Sequence, residues 1–379
     1  MLPGVGVLGT GKSAQALVPC LRDCGFKVEA IWGRSTDTAK EAASELGIPF
    51  YTSKEDEVLL RKSVDFLCIM CPPHQHAKIA VKALGIGKHV LCDCPASVSQ
   101  SEVLKMVGAA EYYPTLISVL CHSLRFSPPY VHMKRHIQEG YVGKVQVIEA
   151  RVHCGSLVHD RYDWTWEDTM GGVLSTFGSH VIDIVSFVTG VRAVRAHGVT
   201  RTLTKATDPV SSLRRVSSDD FCTFQMEMSN GACATVTLNS NCDGRFIQEL
   251  QLWGESGNLM VRCGDLYGQR KGATEELLYE DKDSNEEPDL LPKPHATGLA
   301  NMVMALRDAF ASQPHDQVWA QQPVDSAASF DDGLYVQAVI EAVRRSSETH
   351  QWAQVKLLQE EIRYPGALSS LYRMGSTSF

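Results

Sequence analysis

The sequence lacks three features that would each define a class of protein. Lysine and arginine number 36 against 44 aspartate and glutamate residues, so the net charge of −8 offers no basic surface for duplex nucleic acid. No apolar run reaches the length of a membrane-spanning helix. A secretory signal peptide would require a basic segment before the first apolar stretch, and the sequence has none there. We therefore expect a cytoplasmic protein without nucleic-acid or membrane contacts, and export without a signal peptide stays open.

What is present is an ordinary globular composition in a chain long enough for two domains. The 379 residues are 44% hydrophobic and 21% charged. The 12 cysteines are scattered through apolar segments such as residues 67–71, where they act as small hydrophobic side chains. This distribution predicts reduced thiols and not a disulfide framework.

The first third of the chain alternates short apolar strands with amphipathic helices. Strands are predicted at residues 5–8, 28–32, 64–71, 89–92 and 116–120, with helices between them. Alternation of this kind indicates a parallel sheet covered by helices on both faces, which is an α/β fold. We assign residues 1–123 to a Rossmann domain.

From residue 124 onward the pattern changes to period-two segments. Residues 221–228 and 232–239 flank the turn Asn230-Gly231, and their alternation predicts an antiparallel hairpin. One face is apolar and the other carries Thr235 and Thr237. We assign residues 124–350 to a second domain and 351–379 to a partly flexible extension. The acidic stretch 275–289 is predicted to be a solvated loop.

One motif in the first domain indicates a dinucleotide. Residues 9–14 read G-x-G-x-x-A, directly after a strand and at the start of a helix. Glycines there allow the backbone to approach a pyrophosphate, whose charge lies at the helix N-terminus. The alternative is a tight turn without a ligand. The spacing does not match a P-loop.

The end of the second strand favours NADP(H) over NAD(H). An NAD site usually carries an acidic residue there, but this strand ends in Gly33, Arg34 and Ser35, and Glu29 lies inside it. A guanidinium can pair with the 2′-phosphate of NADP(H). The alternative is that Arg34 is a solvated charge.

The order of the motifs resembles the glucose-fructose oxidoreductase/inositol dehydrogenase family. The glycine motif is followed by residues 71–76, 87–95, 124–126, 140–143 and 171–183 in the family's order. The similarity is greatest to the animal glucose-fructose oxidoreductase domain-containing proteins, and within them to the second vertebrate paralogue. It implies a second α/β domain with a large open, mostly antiparallel sheet, and a nicotinamide bound between the domains. The residues assigned to the cofactor are Gly9, Thr10, Gly11, Lys12, Ser13, Ala14, Gly33, Arg34, Ser35, Cys71, Pro72, His76, Asp93 and Cys94.

The sequence departs from the family at two positions that the resemblance implies are catalytic. The family reads Glu-Lys-Pro where this chain has Asp93, Cys94 and Pro95, so the ammonium is absent. The family's Asp-x-Gly-x-His has become a segment with Thr176 in place of the aspartate, and only His180 is retained. Each such loss typically costs about 10²–10⁴ in rate. We expect a pseudoenzyme that binds NADP(H) and serves a binding or regulatory role.

Two other functions stay open. An active NADP-dependent oxidoreductase on a sugar, polyol or similar small substrate would use His180 as its base, although His180 could equally be structural. A protein that binds a macromolecular partner would use the 275–289 stretch or the threonine face of the sheet. That face also predicts a homodimer, because the sheets of the family often mediate dimerisation.

Three other cysteine and histidine patterns are not expected to carry redox or metal chemistry. A reactive Cys94 would need a lowered pKa and exposure, for which the sequence gives no sign. Cys68 and Cys71 have CxxC spacing, but alternation along a buried strand points them apart. His74 and His76 beside Cys71 suit the nicotinamide-ribose loop better than a metal, so we predict no metal.

Overall fold

The computed structural model describes residues 2–157, 164–204, 216–242, 246–282, 290–312 and 324–358. Its first part is a six-stranded sheet in the order β3-β2-β1-β4-β5-β6, with every pairing parallel. The strands are β1 (Gly4–Leu8), β2 (Lys27–Trp32), β3 (Tyr51–Thr52), β4 (Phe66–Ile69), β5 (His89–Cys92) and β6 (Ser118–Leu120). The predicted Rossmann fold is confirmed.

Five helices connect these strands. They are α1 (Lys12–Asp23), α2 (Thr36–Glu45), α3 (Glu55–Leu59), α4 (His76–Gly85) and α5 (Gln100–Tyr112). The strands are almost wholly buried, as expected for a parallel sheet with two covered faces. The chain order reverses between β1 and β4, and in open α/β sheets ligands bind at such a switch point.

The second part is a nine-stranded mixed sheet in the order β14-β13-β12-β11-β7-β10-β9-β8-β15, in which only the β7–β10 pairing is parallel among the described strands. The strands are β7 (Val145–His153), β8 (Ala193–Arg201), β9 (Phe221–Met228), β10 (Cys233–Asn239), β11 (Ile247–Gly254), β12 (Gly257–Arg262), β13 (Asp265–Arg270), β14 (Glu276–Tyr279) and β15 (Ala353–Gln354). The predicted large, mostly antiparallel sheet is confirmed.

Among four further helices in the described residues, three contact strands of this sheet and one contacts α1 of the first domain. The four are α6 (Pro128–Gln138), α7 (Ser179–Thr189), α8 (Lys293–Ala311) and α9 (Phe330–Thr349). Leu299, Met302 and Leu306 of α8 belong to the same buried cluster as the Rossmann strands. A helix from beyond residue 124 therefore completes the core of the first domain. The boundary at residue 123 itself stays a prediction.

The predicted hairpin forms, and one predicted loop does not. Phe224 and Met226 of β9 pair with Val236 and Ala234 of β10 on the buried face. The threonines of β10 lie on the open face.

The sequence predicts a solvated loop over residues 275–289, and this prediction is wrong for residues 276–279. Residues 276–279 form β14, because pairing with β13 supplies the hydrogen bonds that the weak sequence pattern does not reveal. Residues 283–289 lie outside the described residues.

No helix in the described parts of the chain is long and apolar enough to cross a membrane.

Candidate cofactor and substrate site

The turn between β1 and α1 is shaped for an anion. Gly9 has a φ of +137°, and a Cβ there would lie 2.2 Å from the carbonyl oxygen of Met70. Gly11 has an ordinary φ of −79°, and a Cβ there would meet no described atom within 4 Å. The fold therefore requires Gly9 to be glycine, whereas Gly11 leaves open space in front of the helix.

The N-terminus of α1 keeps its backbone donors available. Among the described residues no side chain caps this end, and no acidic residue occupies its first turn. Lys12 is exposed and Ser13 is half-buried, whereas Ala14 is fully buried and packs the helix onto the sheet. Unpaired N–H groups and the helix dipole together favour an anion at this position.

The end of β2 presents Arg34 to solvent beside this turn. Gly33 packs closely, since a Cβ there would lie 3.0 Å from the Thr10 side chain. Arg34 is exposed and makes no ion pair with any described residue. The Ser35 hydroxyl accepts the N–H of Thr38 and so caps α2. The Glu29 side chain lies close to Gly4, at the opposite end of β1 from the turn.

His76 joins two of the loops at this edge of the sheet. Its Nε2 lies 2.6 Å from the carbonyl oxygen of Cys71 and its Nδ1 lies 3.1 Å from that of Pro95. The ring is 1% exposed. His76 therefore positions the loop that contains Cys71 and Pro72, and its nitrogens are both occupied by backbone.

Asp93 lies at the loop after β5, close to the glycine motif. Its carboxylate accepts the Cys94 N–H at 2.9 Å. Burial raises the pKa of Asp93 and lowers the pKa of His76, and the attraction between the two groups opposes both shifts. The Ser13 hydroxyl also lowers the pKa of Asp93, which places this carboxyl near the start of α1.

Cys94 lies half-buried at the position where the resemblance implies a lysine. Burial, followed by the nearby Cys121, Asp93 and Asp183, raises the pKa of its thiol well above the ordinary value. The group therefore stays a neutral thiol near pH 7. That this thiol is unreactive stays a prediction.

Thr176 and His180 lie on the segment that opens α7, where a π-helical turn (Leu174–Gly178) precedes the α-helix. The Thr176 hydroxyl donates to the carbonyl oxygen of Gly172 at 2.7 Å, so its proton is committed to the backbone. His180 is half-buried, and its Nδ1 has no hydrogen-bond partner among the described residues. Burial, and then His122, lowers the pKa of His180 to about 3.

Two further histidines form a row with His180. The ring of His122 lies 5.1 Å from that of His180, and the ring of His295 lies 4.8 Å from that of His180, both edge to face. His122 is 1% exposed, and neither of its nitrogens has a hydrogen-bond partner in the described part of the chain. Burial, and then Arg125, lowers the pKa of His122 to about 3.

The far end of this histidine row is anchored by an amide and a phenol. Nε2 of His295 lies 3.0 Å from Oε1 of Gln248, whose Nε2 donates to the Tyr130 hydroxyl at 2.9 Å. Because an amide oxygen only accepts, His295 carries its proton on Nε2. Burial, and then His180, places the pKa of His295 well below its ordinary value. All three imidazoles are therefore neutral near pH 7.

A buried ion pair fixes the elements that carry the histidine row. Arg125 donates through Nε and Nη2 to the two carboxylate oxygens of Asp183, at 2.8 and 2.6 Å. Its Nη2 also lies 3.1 Å from Asp332, which caps α9 and pairs with Arg192 at 3.0 Å. This network ties the segment after β6 to α7 and α9, and all of its members belong to the second domain.

The structure brings the predicted site residues to one edge but adds residues that the sequence did not reveal. Cys92 pairs with Leu120, so Cys94 and His122 each lie two residues beyond paired positions of β5 and β6. That spacing could have identified His122. His295 had no such signal, because it reaches the row from α8. No group of three His, Cys, Asp or Glu residues is arranged for a metal among the described residues.

The fold defines a two-domain α/β protein with a Rossmann sheet, and comparison with known proteins gives its family. Residues 4–120 match "Oxidoreductase family, NAD-binding Rossmann fold", and residues 130–260 match "GFO/IDH/MocA C-terminal domain". The chain is 45% identical to the mouse "Glucose-fructose oxidoreductase domain-containing protein 1", across 95% of this chain and 94% of that protein. It is also 45% identical to the human "Glucose-fructose oxidoreductase domain-containing protein 2", across 95% of each.

The chain therefore belongs to the GFO/IDH/MocA oxidoreductase family, as the resemblance predicted. Its similarity to the animal domain-containing proteins is confirmed, and it extends equally to both of their types.

Solved structures share the whole architecture. A levoglucosan dehydrogenase in complex with NADH and L-sorbose superposes with a TM-score of 0.78 at 20% identity, covering 94% of this chain and 99% of that one. An oxidoreductase domain protein from Kribbella flavida gives 0.78 at 23% identity, covering 93% and 99%. At these identities the likeness concerns the fold. The protein is an NAD(P)-binding Rossmann oxidoreductase-family member.

Proposed function

We propose that this protein binds NADP(H) and has lost the dehydrogenase reaction, so that cofactor occupancy serves a binding or regulatory function. The observation that carries the proposal is the contrast within one site. The α1 turn retains the features for a pyrophosphate, whereas the groups at the positions that the resemblance implies are catalytic are neutral and poorly suited to accept a proton near pH 7.

The residues at the turn fit a dinucleotide. Gly9 permits the turn, the space in front of Gly11 admits a phosphate, and the uncapped start of α1 offers N–H donors. A fully buried Ala14 suits the third position of the motif, whose role is close packing of helix and strand. When bound, the nicotinamide cofactor supplies hydride transfer, and these residues hold and orient it.

The choice of NADP(H) rests on Arg34. Its guanidinium is exposed beside the turn and forms no ion pair with a described residue. A phosphate would therefore displace no such partner. Glu29 lies away from this end of the strand, so it does not offer the carboxylate of an NAD site. An unengaged guanidinium suits bidentate binding of a 2′-phosphate.

The loss of turnover rests on three side chains. Oxidation of an alcohol requires a group that accepts the hydroxyl proton as the hydride leaves. Cys94 and Thr176 are neutral, and the Thr176 hydroxyl donates to its own helix. His180 is a weak base, because burial lowers its pKa to about 3, and a protonated imidazole would be desolvated beside His122.

One experiment with two readouts tests the proposal. The full chain is purified, denatured, and its released ligand identified by mass spectrometry, while the folded protein is assayed for NADP-dependent turnover on sugars, polyols and inositols. The proposal expects NADP(H) in the released fraction and no turnover above the uncatalysed background. Release of NAD(H) would contradict the cofactor assignment. Turnover at ordinary enzyme rates that is lost in His180→Ala would show an active enzyme with His180 as its base.

We also propose a homodimer through the open face of the nine-stranded sheet. The face carries Thr223, Thr235 and Thr237 on β9 and β10, next to the Arg151–Glu249 pair and the exposed Glu149 of β7. A face on which most central side chains are uncharged or paired can pack on its own copy. Light scattering is expected to give twice 41.7 kDa, and a monomer mass at micromolar concentration would contradict this arrangement.

A further inference from the structure

Two cysteines outside the nucleotide site are held at one backbone oxygen. Cys154 directly follows β7, and Cys242 follows β10, its parallel neighbour. The Sγ of Cys154 lies 3.8 Å from the carbonyl oxygen of Asn239, and the Sγ of Cys242 lies 3.6 Å from that same oxygen. The Cys242 Sγ also lies 3.6 Å from the carbonyl oxygen of Cys154. Three contacts therefore bring together two thiols that are 88 residues apart in the chain.

The backbone around the two thiols is fixed by hydrogen bonds. The Cys154 N–H donates to Asn239 O at 3.0 Å, and the Asn241 N–H donates to the Asn239 side chain at 2.9 Å. The parallel pairing of β7 with β10 ends at His153 and Asn239, so Cys154 lies one residue and Cys242 three residues beyond it. The sulfur contacts with the shared Asn239 oxygen, and not strand pairing, bring together the two thiols that a disulfide would join.

We propose that Cys154 and Cys242 form a redox-active pair that closes to a disulfide in the presence of a small-molecule disulfide. The proposal does not depend on the proposed function, because neither cysteine belongs to the nucleotide site. Cys154 packs in the same cluster as Phe177 and Phe246, whose rings lie near His295. The bridge would join the ends of β7 and β10 beside Phe177, Phe246 and His295.

The order of the two steps follows from burial. Cys242 is half-buried, whereas Cys154 is 5% exposed, and burial raises the pKa of Cys154 to about 12. The Cys242 thiolate first attacks a sulfur of the small disulfide, releasing one small thiolate and leaving a mixed disulfide. Cys154 then loses its proton and attacks the Cys242 sulfur, which expels the second small thiolate. Two protein thiols are oxidised, and one small disulfide is reduced to two thiols.

The other cysteines provide the controls. Cys233 and Cys263 are exposed, so they are the thiols that accessibility alone would select. Trypsin releases Cys154 within residues 152–161 and Cys242 within residues 216–245, a peptide that also contains Cys222 and Cys233. A Cys233→Ser background leaves Cys222, which is fully buried, as the other cysteine of that peptide.

The reduced full-length Cys233→Ser protein is treated with oxidised glutathione, alkylated, digested without reduction and analysed by mass spectrometry. We expect the peptides 152–161 and 216–245 to be linked with the loss of two hydrogens, fragment ions to place the bridge at Cys242, and two thiols per chain to be lost. Addition of Cys242→Ser should abolish the link, and addition of Cys263→Ser should leave it unchanged. The proposal would be overturned if Cys154 stayed reduced while Cys242 or Cys263 carried glutathione. It would also be overturned if the bridge formed at Cys222.

Discussion

The two halves of the candidate site are assembled in different ways. The anion-binding half lies within residues 9–14 and is shaped by backbone geometry, above all by the positive φ of Gly9. The pocket half takes His122, His180 and His295 from three separate elements and depends on side-chain chemistry. The comparison teaches that the shape of a site built from backbone is tied to the fold at positions such as Gly9, whereas a site built from side chains can lose its chemistry without disturbing the core.

The comparison is tested most strongly at Gly9. In Gly9→Ala the new Cβ would lie 2.2 Å from Met70 O, in a backbone conformation that costs an alanine about 1–3 kcal/mol before the clash is counted. We expect the free energy of unfolding to fall by about 3 kcal/mol or more, with loss of NADPH binding. Urea unfolding and NADPH fluorescence titration measure the two effects.

Gly11→Ala is the matched control, because its φ is ordinary and a Cβ meets no described atom within 4 Å. We expect its stability to change by less than about 1 kcal/mol. NADPH affinity should nevertheless fall at least about tenfold, since the methyl group occupies the approach of the pyrophosphate. Wild-type affinity in this variant would show that the turn does not bind the cofactor.

Arg34→Ala separates the two cofactors within the anion-binding half. A hydrogen bond to a charged group contributes about 1.5–3 kcal/mol, so NADPH should bind about 10–100-fold more weakly while NADH affinity is unchanged. Lys40→Ala, an exposed position of α2, removes the same charge and should affect neither cofactor. The two affinities are compared by titration at constant ionic strength. An equal loss for both cofactors would mean that Arg34 does not contact the 2′-phosphate.

The pocket half predicts a dependence of stability on pH. The folded pKa values of His122 and His180 are near 3, below the unfolded value of about 6.5. Between pH 6.5 and 5 the unfolded chain therefore binds protons that the folded chain does not, and the free energy of unfolding falls as the pH is lowered. The contribution is about 1.5 kcal/mol per histidine over this interval.

His122→Phe removes one of these groups and keeps a ring beside His180. We measure the free energy of unfolding with urea at pH 6.5 and at pH 5. Between these two values it should fall by about 1.5 kcal/mol less in the variant than in the wild type. His350→Asn is the control, because His350 is exposed at the end of α9 and asparagine tolerates its positive φ. An unchanged pH dependence in His122→Phe would mean that this histidine is not buried as a neutral group.

The sequence predicted the parts of the molecule that depend on local pattern. The α/β alternation, the hairpin at Asn230-Gly231 and the glycine motif each follow from residues close together in the chain, and all are present in the structure. Strand β14 was missed because its pattern is weak and its partner is β13.

The histidine row was missed for a different reason. His122 and His295 are 173 positions apart, and only the packing of α8 onto the first domain brings them to the same pocket. The neutral state of the row is likewise a result of burial, which no local pattern reports.

The smallest effect is expected from returning the family's lysine to the pocket. Cys94→Lys restores an ammonium, but the Thr176 hydroxyl remains bonded to Gly172 O, and His180 remains a weak base. Groups that act as a catalytic unit are not additive, so the single change should raise NADP-dependent turnover on polyols less than about tenfold. Cys94→Met is the control for side-chain length without charge. The double variant Cys94→Lys with Thr176→Asp should exceed either single change, because it restores the carboxylate as well. If Cys94→Lys alone restored turnover by a hundredfold or more, the remaining pocket would already be competent, and the loss of chemistry would lie in one residue.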